Sequence, residues 1–487
     1  VVSAPSVARE LDQQEQLYFQ HFMKDTSGFL HRNDLFYWKD VSTQEAGHFT
    51  SIQNYDPFFW KVVALQESHS STCVRHVIVA IGALGKSVQT SSLGHHHMDT
   101  SQGSHREFAL QQYQKAIRGL RESIANSDHE VDTRTTLISC LVLACFDNFI
   151  GNGGFALQHI RYARDILYKS NPSRTPHTTT SPETPTDYLS SMFLRLDMQA
   201  LFSMGVDPDR TFIALQVNTP KISIPVQFAS LEEVKDFGNA IILEGYYFHY
   251  LTSFYKFAPG GSIPEEVVQQ RDCLIEQINT FHARVDSLLQ QMIHIPRDPL
   301  IHPLMRPEAV KIYSSALLIR LTSSLDARET DCDPLLPHFE YLLSIMRDTV
   351  EYEAKVTSGR PLSSMWKQSL TRRPGGETFT FEVRTIAQLS LIATKCRHPA
   401  IRREAIALLL SSHRREWMFD SLLAGQVGAW MMGLEEERRA ECGNIPEHAR
   451  AWGECMMLDL QTRRAVVRCR QNVKEGGWRE RETVITW

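Results

Sequence analysis

The sequence has no long hydrophobic run. Its longest apolar stretch, Leu137 to Phe146, is interrupted by Ser139, whereas a membrane-crossing helix takes about 18 or more such residues. The stretch reads as a buried helix of a soluble globular protein. Charge of one sign is equally scarce: 51 Lys and Arg stand against 56 Asp and Glu, a net charge of −5. A domain that grips nucleic acid unaided concentrates basic residues, because neutralising phosphates supplies most of the affinity. Here the pairs Arg402–Arg403, Arg414–Arg415, Arg438–Arg439 and Arg463–Arg464 are dispersed among acids and apolar residues, and read as solvated helix faces. Paired cysteines are missing too. The nine cysteines are odd in number and none shows C-x-x-C spacing, which argues against a disulfide framework and for a reducing compartment. With 25 Gly and 21 Pro, collagen-like and low-complexity readings fall away, and 42% hydrophobic residues suffice for a large core. No secretory signal opens the chain, which starts at Val1 as a fragment or processed product would.

Chemical motifs are also absent. The sequence carries no G-x-S-x-G, no phosphate-binding G-x-x-x-x-G-K-[ST], no H-E-x-x-H and no aspartate-rich diphosphate motif. Gly151-x-Gly153 lacks the third glycine of a dinucleotide fingerprint and reads as a helix stop. His95–His97 are consecutive residues in a polar segment, an arrangement that rarely converges on one metal ion. Asp147 and His159 are spaced to meet across a helical hairpin, as a helix-end hydrogen bond rather than a catalytic pair. No catalytic residue, metal or cofactor is therefore assigned; the missing motifs lean against an enzyme and leave the question open.

What is present is helical periodicity. Ser70, Ser71 and Thr72 are capping residues before Val74, Val77, Ile78, Ile81 and Leu84, with Gly85 as the expected end of that helix. Leu110, Tyr113, Ile117, Leu120 and Ile124 share one helical face. Residues 133–150 are apolar nearly all round, as in a central helix, and Gly151–Gly154 turn the chain into a second helix to about Leu167, forming an antiparallel pair. Helical spacing returns from Ile401 through Leu434. Strand signal is confined to 465–473 and 478–487, around Lys474–Gly477. The expected fold is all-α, a large multi-helix bundle or array of helical hairpins with a short C-terminal β-hairpin. It forms a single helical domain over 1–487, with flexible loops near 88–104, 170–187 and 357–378.

The densest aromatic run is Glu244–Phe257 (EGYYFHYLTSFYKF). At helical spacing Tyr247, Tyr250 and Phe254 share one face, and Tyr246, His249 and Phe257 another. The run reads either as a helix packed on two sides or as one wall of an apolar cavity whose hydroxyl and imidazole groups orient a small molecule. Trp430, Met431 and Met432 form a second soft apolar cluster with the same two readings. The ligand-site candidates are Tyr246, Tyr247, His249, Tyr250, Phe254, Trp430 and Met431, across a cavity between these two helices.

Several blocks, in order, resemble the fungal-specific transcription factor regulatory domain. They begin with Phe58-Phe59-Trp60, Leu65-Gln66-Glu67-Ser68-His69, Val74-Arg75-His76 and Ala80-Ile81-Gly82-Ala83-Leu84. Tyr113, Ala116, Ile117 and Leu120, then the Cys140–Leu167 hairpin, are similar to its next blocks. Cys396-Arg397-His398-Pro399, Arg402 through Ile406 and Arg414 through Leu423 continue the likeness, which closes on Trp478-Arg479-Glu480 and Trp487. It covers most of residues 15–487. The resemblance implies an all-α regulatory, ligand-sensing region of a zinc-cluster regulator in the nucleus. The family's six-cysteine zinc module is not in the sequence, so it either lies upstream of Val1 or is lacking. In the second case the chain is a cytoplasmic paralogue of secondary metabolism that binds or transforms a metabolite. The partners this implies are a small apolar metabolite, the transcription machinery or a co-regulator, and a second copy in a homodimer. Direct nucleic-acid contact and membrane association are not expected.

Overall fold

The computed structural model describes residues 11–27, 59–92, 100–125, 133–170, 222–257, 263–292, 301–326, 328–358, 378–381, 383–438, 443–473 and 477–487, with Leu189, Met192, Phe193 and Leu196. Helix α1 (Gln13–His21) starts in a reciprocal cap. The Glu15 N–H donates to the Asp12 carboxylate at 2.7 Å and the Asp12 N–H donates to the Glu15 carboxylate at 3.2 Å. Helix α2 (Ala64–Ser70) gives way at Ser71, whose hydroxyl accepts from the Val74 N–H at 3.3 Å and caps α3 (Thr72–Ser92). Gly85 does not end α3. A Cβ on Gly82 or Gly85 would collide with the Tyr18 carbonyl oxygen or the Thr26 side chain, so these glycines admit α1 and the π turn behind it.

Helix α4 (Thr100–Ala125) buries Ala109, Gln112 and Ala116 and turns Leu110 outward. Helix α5 (Thr133–Phe149) is buried from Thr136 to Asn148 without a break, as its all-round apolarity requires. At Gly151 the backbone turns left-handed, φ 91°, and α6 (Gly153–Ser170) returns along α5. The expected loop at 88–104 is thus helical at both ends, and residues 93–99, including His95–His97, lie outside the described residues. So does nearly all of the expected 170–187 and 357–378 loops.

The second half contributes α7 (Leu231–Thr252), α8 (Glu265–Gln291), α9 (Ile312–Thr322), α10 (Leu336–Ser358), α11 (Ile386–Lys395), α12 (Pro399–Ser411) and α13 (Ser421–Glu436). A small sheet joins β1 (Thr378–Thr380) in parallel to β2 (Arg414–Glu416), which pairs antiparallel with β3 (Phe419–Asp420). Trp417, in the turn between β2 and β3, is held at φ 53° with its indole fully buried edge-on to Phe381. Phe379, Phe381, Trp417 and Met418 complete the core built by α1 to α6, so the C-terminal part of the chain closes the N-terminal one.

The terminal hairpin is present as β5 (Arg464–Asn472) against β6 (Trp478–Thr486), but it belongs to a three-stranded antiparallel sheet. The strand that sequence patterning misses is β4 (Ala451–Asp459). Its alternation is broken by a bulge between Trp452 and Cys455, where Gly453 adopts φ 64°. The sheet's inner face packs Ala465, Val467, Cys469 and Ile485 on Leu423, Val427, Met431 and Leu434 of α13.

Candidate functional site

Between α7, α9, α11, α13 and β4 lies a groove of about 180 Å³, partly open to solvent. Each wall is fixed by a local device. Helix α11 is capped from across the small sheet by Glu416, whose buried Oε2 accepts the N–H groups of Arg384 at 2.8 Å, Thr385 at 2.8 Å and Ile386 at 3.0 Å. Burial pushes the Glu416 carboxyl upward, against the pull of Arg414 and those N–H donors. Helix α13 is capped by Asp420, whose Oδ1 accepts from Leu422 and Leu423 at 2.9 and 3.1 Å. Gly428 of α13 faces Ala393 of α11 too closely for any side chain, which seats the two helices against each other. The bulge in β4 re-aims the strand so that Glu454, Met456 and Leu458 all face the groove.

The two long walls differ in chemistry. Leu391, Met418, Phe419, Leu423, Val427 and Met456 are apolar. Opposite them, α7 and α9 bring His249, Tyr250, Ser253 and Arg320. Burial, then the charges of Arg320, Lys256 and Lys395, drive the His249 imidazole down to about 3, so it is neutral at physiological pH.

Behind this polar end is an ion network sealed from water. Glu329, fully buried, receives Lys256 at 2.8 Å, Lys395 at 2.9 Å and Arg397 at 3.2 Å. Arg397 also reaches Glu435 at 2.7 Å, and Glu435 pairs with the buried Arg402. Glu435 and Arg397 grip the first residue of β4 from both sides, through the Ala451 N–H at 2.7 Å and its carbonyl at 3.1 Å. Lys395 lies 4.0 Å from Glu454 on the groove wall. Burial alone would raise the Glu329 carboxyl, but Lys256, Lys395 and Arg397 outweigh it and hold it well below the ordinary carboxylate range. Arg397 and Arg402 do the same for Glu435. The basic pairs therefore do not all sit on solvated helix faces. Arg402 is 1% exposed, and Arg414 and Arg415 lie on a strand, Arg414 paired with Glu353 and Arg415 donating to the Asn148 and Phe149 carbonyls at the end of α5. Burial of an arginine follows from a carboxylate or carbonyl far away in sequence, which local patterning does not register.

Of the seven ligand-site candidates, the groove brings together His249 and Tyr250. Tyr246 faces away, into the core shared by α7, α8 and α9, hydrogen-bonded to Arg320. Tyr247 is half-buried outside the groove lining, and Phe254 stacks on Tyr255 at 4.2 Å. Trp430 packs on the sheet, and Met431 is fully buried between α13 and the sheet. The helix carrying them does form the far wall, one turn earlier, through Leu423, Ala424 and Val427. Arg320, Glu454 and Met456 carried no signal in the sequence, since each is a single residue in an unremarkable element. Asp147 and His159 meet at 3.1 Å, and the same Asp147 oxygen accepts from the Tyr113 hydroxyl at 2.8 Å, a structural bond that closes the α5–α6 hairpin on α4.

No curated protein and no solved structure matches the chain. A family model does, over residues 37–366, more than half of the sequence and including α7 and α9 of the groove. With the helical architecture, this places the chain in the family of the fungal-specific transcription factor domain, and gives it a transcription regulator's role.

Proposed function

We propose that the chain is the effector-sensing region of a nuclear transcription regulator, acting as one helical unit that binds a small, largely apolar molecule rather than DNA. The observation that carries this reading is the composition of the groove. Its polar end comes from α7 and α9, inside the family-matched segment, and its apolar wall from α11, α13 and β4, beyond it. A molecule bound there touches both parts at once and shifts the population toward the arrangement in which they are docked. Turning such an equilibrium fully takes about 5.5 kcal/mol of differential affinity, and burial of roughly 200 Å² of ligand and wall surface supplies about 5 kcal/mol.

His249, Tyr250 and Glu454 in one groove suggest a second reading, a paralogue that transforms its ligand. The polar groups argue against it: Asp420 is committed to a helix cap, and an imidazole held near 3 is a weak general base at neutral pH. Thermal shift with lipid, polyketide and terpenoid metabolites, run on the full chain and on Val427→Trp, tests the sensing reading. A ligand that raises Tm in the first and not in the second supports it. No shift with any class sinks it in favour of an interaction scaffold.

A further inference from the structure

The groove's two ends specify more than an apolar guest. We propose, building on the sensing reading, that its effector is a small amphipathic carboxylic acid, with the carboxylate at Arg320 and His249 and the apolar body between Leu423, Val427 and Met456.

Three observations support the charge sign. First, Arg320 is the cation on the groove wall itself, in the last turn of α9, and its bond to the Tyr246 hydroxyl fixes it from behind. Second, the largest charge acting on His249 is that of Arg320, so the potential at that end favours an anion, Lys256 and Lys395 being paired with Glu329. Third, the two acids on the lining are already engaged: Asp420 caps α13 through Leu422 and Leu423, and Glu454 lies at the rim, 31% exposed and 4.0 Å from Lys395. Glu329, the remaining nearby carboxylate, is enclosed by its own three cations.

Size narrows the class. A cavity of about 150 Å³ accommodates a benzene-sized guest, so 180 Å³ with one open side fits a ring or short branched chain plus a head group. Long acyl chains and multi-ring skeletons exceed the enclosed part. Ser390 of α11 adds a hydroxyl to the lining, where a second ligand oxygen can be bonded, whereas the Ser253 and Thr394 hydroxyls donate to the Tyr250 and Ser390 carbonyls at 3.0 and 2.9 Å.

The test uses three probes of one size: 4-phenylbutyrate, 4-phenylbutanol and 4-phenylbutylamine, titrated calorimetrically into the full chain at pH 7. The acid is expected to bind about tenfold more tightly than the alcohol, the increment of one charge-assisted hydrogen bond, and the amine weakest. Arg320→Gln, which keeps a donor for Tyr246, brings acid and alcohol to equal affinity, whereas Arg320→Lys retains part of the preference. Equal binding of acid and alcohol to the unsubstituted chain, or tightest binding of the amine, overturns the carboxylate assignment and leaves the groove as a site. Binding of none of the three overturns both the assignment and the sensing reading for ligands of this size. The series on the unsubstituted chain decides the matter even if Arg320→Gln fails to fold.

Discussion

The helical layer formed by α3 to α6 and the junction of α7, α11, α12, α13 and β4 are both buried, but they are held by different forces. In the first, α5 surrounds itself with Leu, Val, Ala, Cys and Phe, and the polar ties named for it lie at its two ends, Arg134 and Thr135 to Glu67 at one and Asp147 to Tyr113 and His159 at the other. In the second, Glu329 and Glu435 share four cations in the dry interior and hold β4 over a groove. Apolar packing is non-directional and tolerates small adjustments. A buried ion network is costly to desolvate and stable only in one arrangement. The contrast sets a frame held by apolar packing against a junction held in place by charge pairs.

The largest expected effect is at the junction. Glu329→Ala leaves Lys256, Lys395 and Arg397 facing one another in a dry site and should cost about 3–5 kcal/mol, seen as a fall in Tm and in the urea midpoint. Leu141→Ala in α5 opens a cavity and should cost about 2–5 kcal/mol. Its loss should be the same at pH 6 and pH 3.5, whereas the Glu329→Ala loss should shrink only below about pH 4.5, where the unfolded carboxyl takes up its proton. Equal pH dependence of the two variants would break the comparison.

Acid should act through buried histidines, among them His249 at the groove and His282, bonded to Ser314 of α9. His249 and His282 are both depressed to about 3, His249 as described and His282 by burial, then by His338 and Lys311. The unfolded chain takes up these protons below about pH 6.5, so their contribution is complete above that pH and is lost progressively toward pH 3. Glu329 and Glu435, held below the ordinary range, add a further loss below about pH 4.5. Urea midpoints measured from pH 7 to pH 4 should therefore decline, and His249→Asn should flatten the decline by up to about one proton. An unchanged slope would remove His249 from the account.

The smallest effect gives the sharpest contrast. Arg403→Ala removes an exposed pair with Glu436 and should cost under about 1 kcal/mol. Its neighbour Arg402→Ala takes one of two buried cations from Glu435 and should cost about 3–5 kcal/mol. Similar losses for the two arginines in parallel denaturation curves would show that the network does not support the junction.

This pair also shows what the sequence discloses. The α5–α6 hairpin is legible because its signals are local: an unbroken apolar helix, then four residues that stop it. Arg402 and Arg403 look alike, because what separates them is a carboxylate at position 435. The aromatic run in α7 pointed to one wall of the groove, but the helical face that meets the groove is set by α9 and β4, so His249 and Tyr250 line it and Tyr246 does not. Strand β4 is hidden in the sequence because the bulge at Gly453 breaks its alternation, and beyond that bulge Glu454, Met456 and Leu458 line the groove.

The central claim is that effector binding is felt at the junction and not in the α3–α6 layer. Amide hydrogen exchange of the full chain, with and without saturating 4-phenylbutyrate, tests this directly. The account predicts slowed exchange in the last turns of α7, in α13 and in β4, with α5 unchanged. Protection centred on α5 and α6, or binding with no protection in β4, would contradict it.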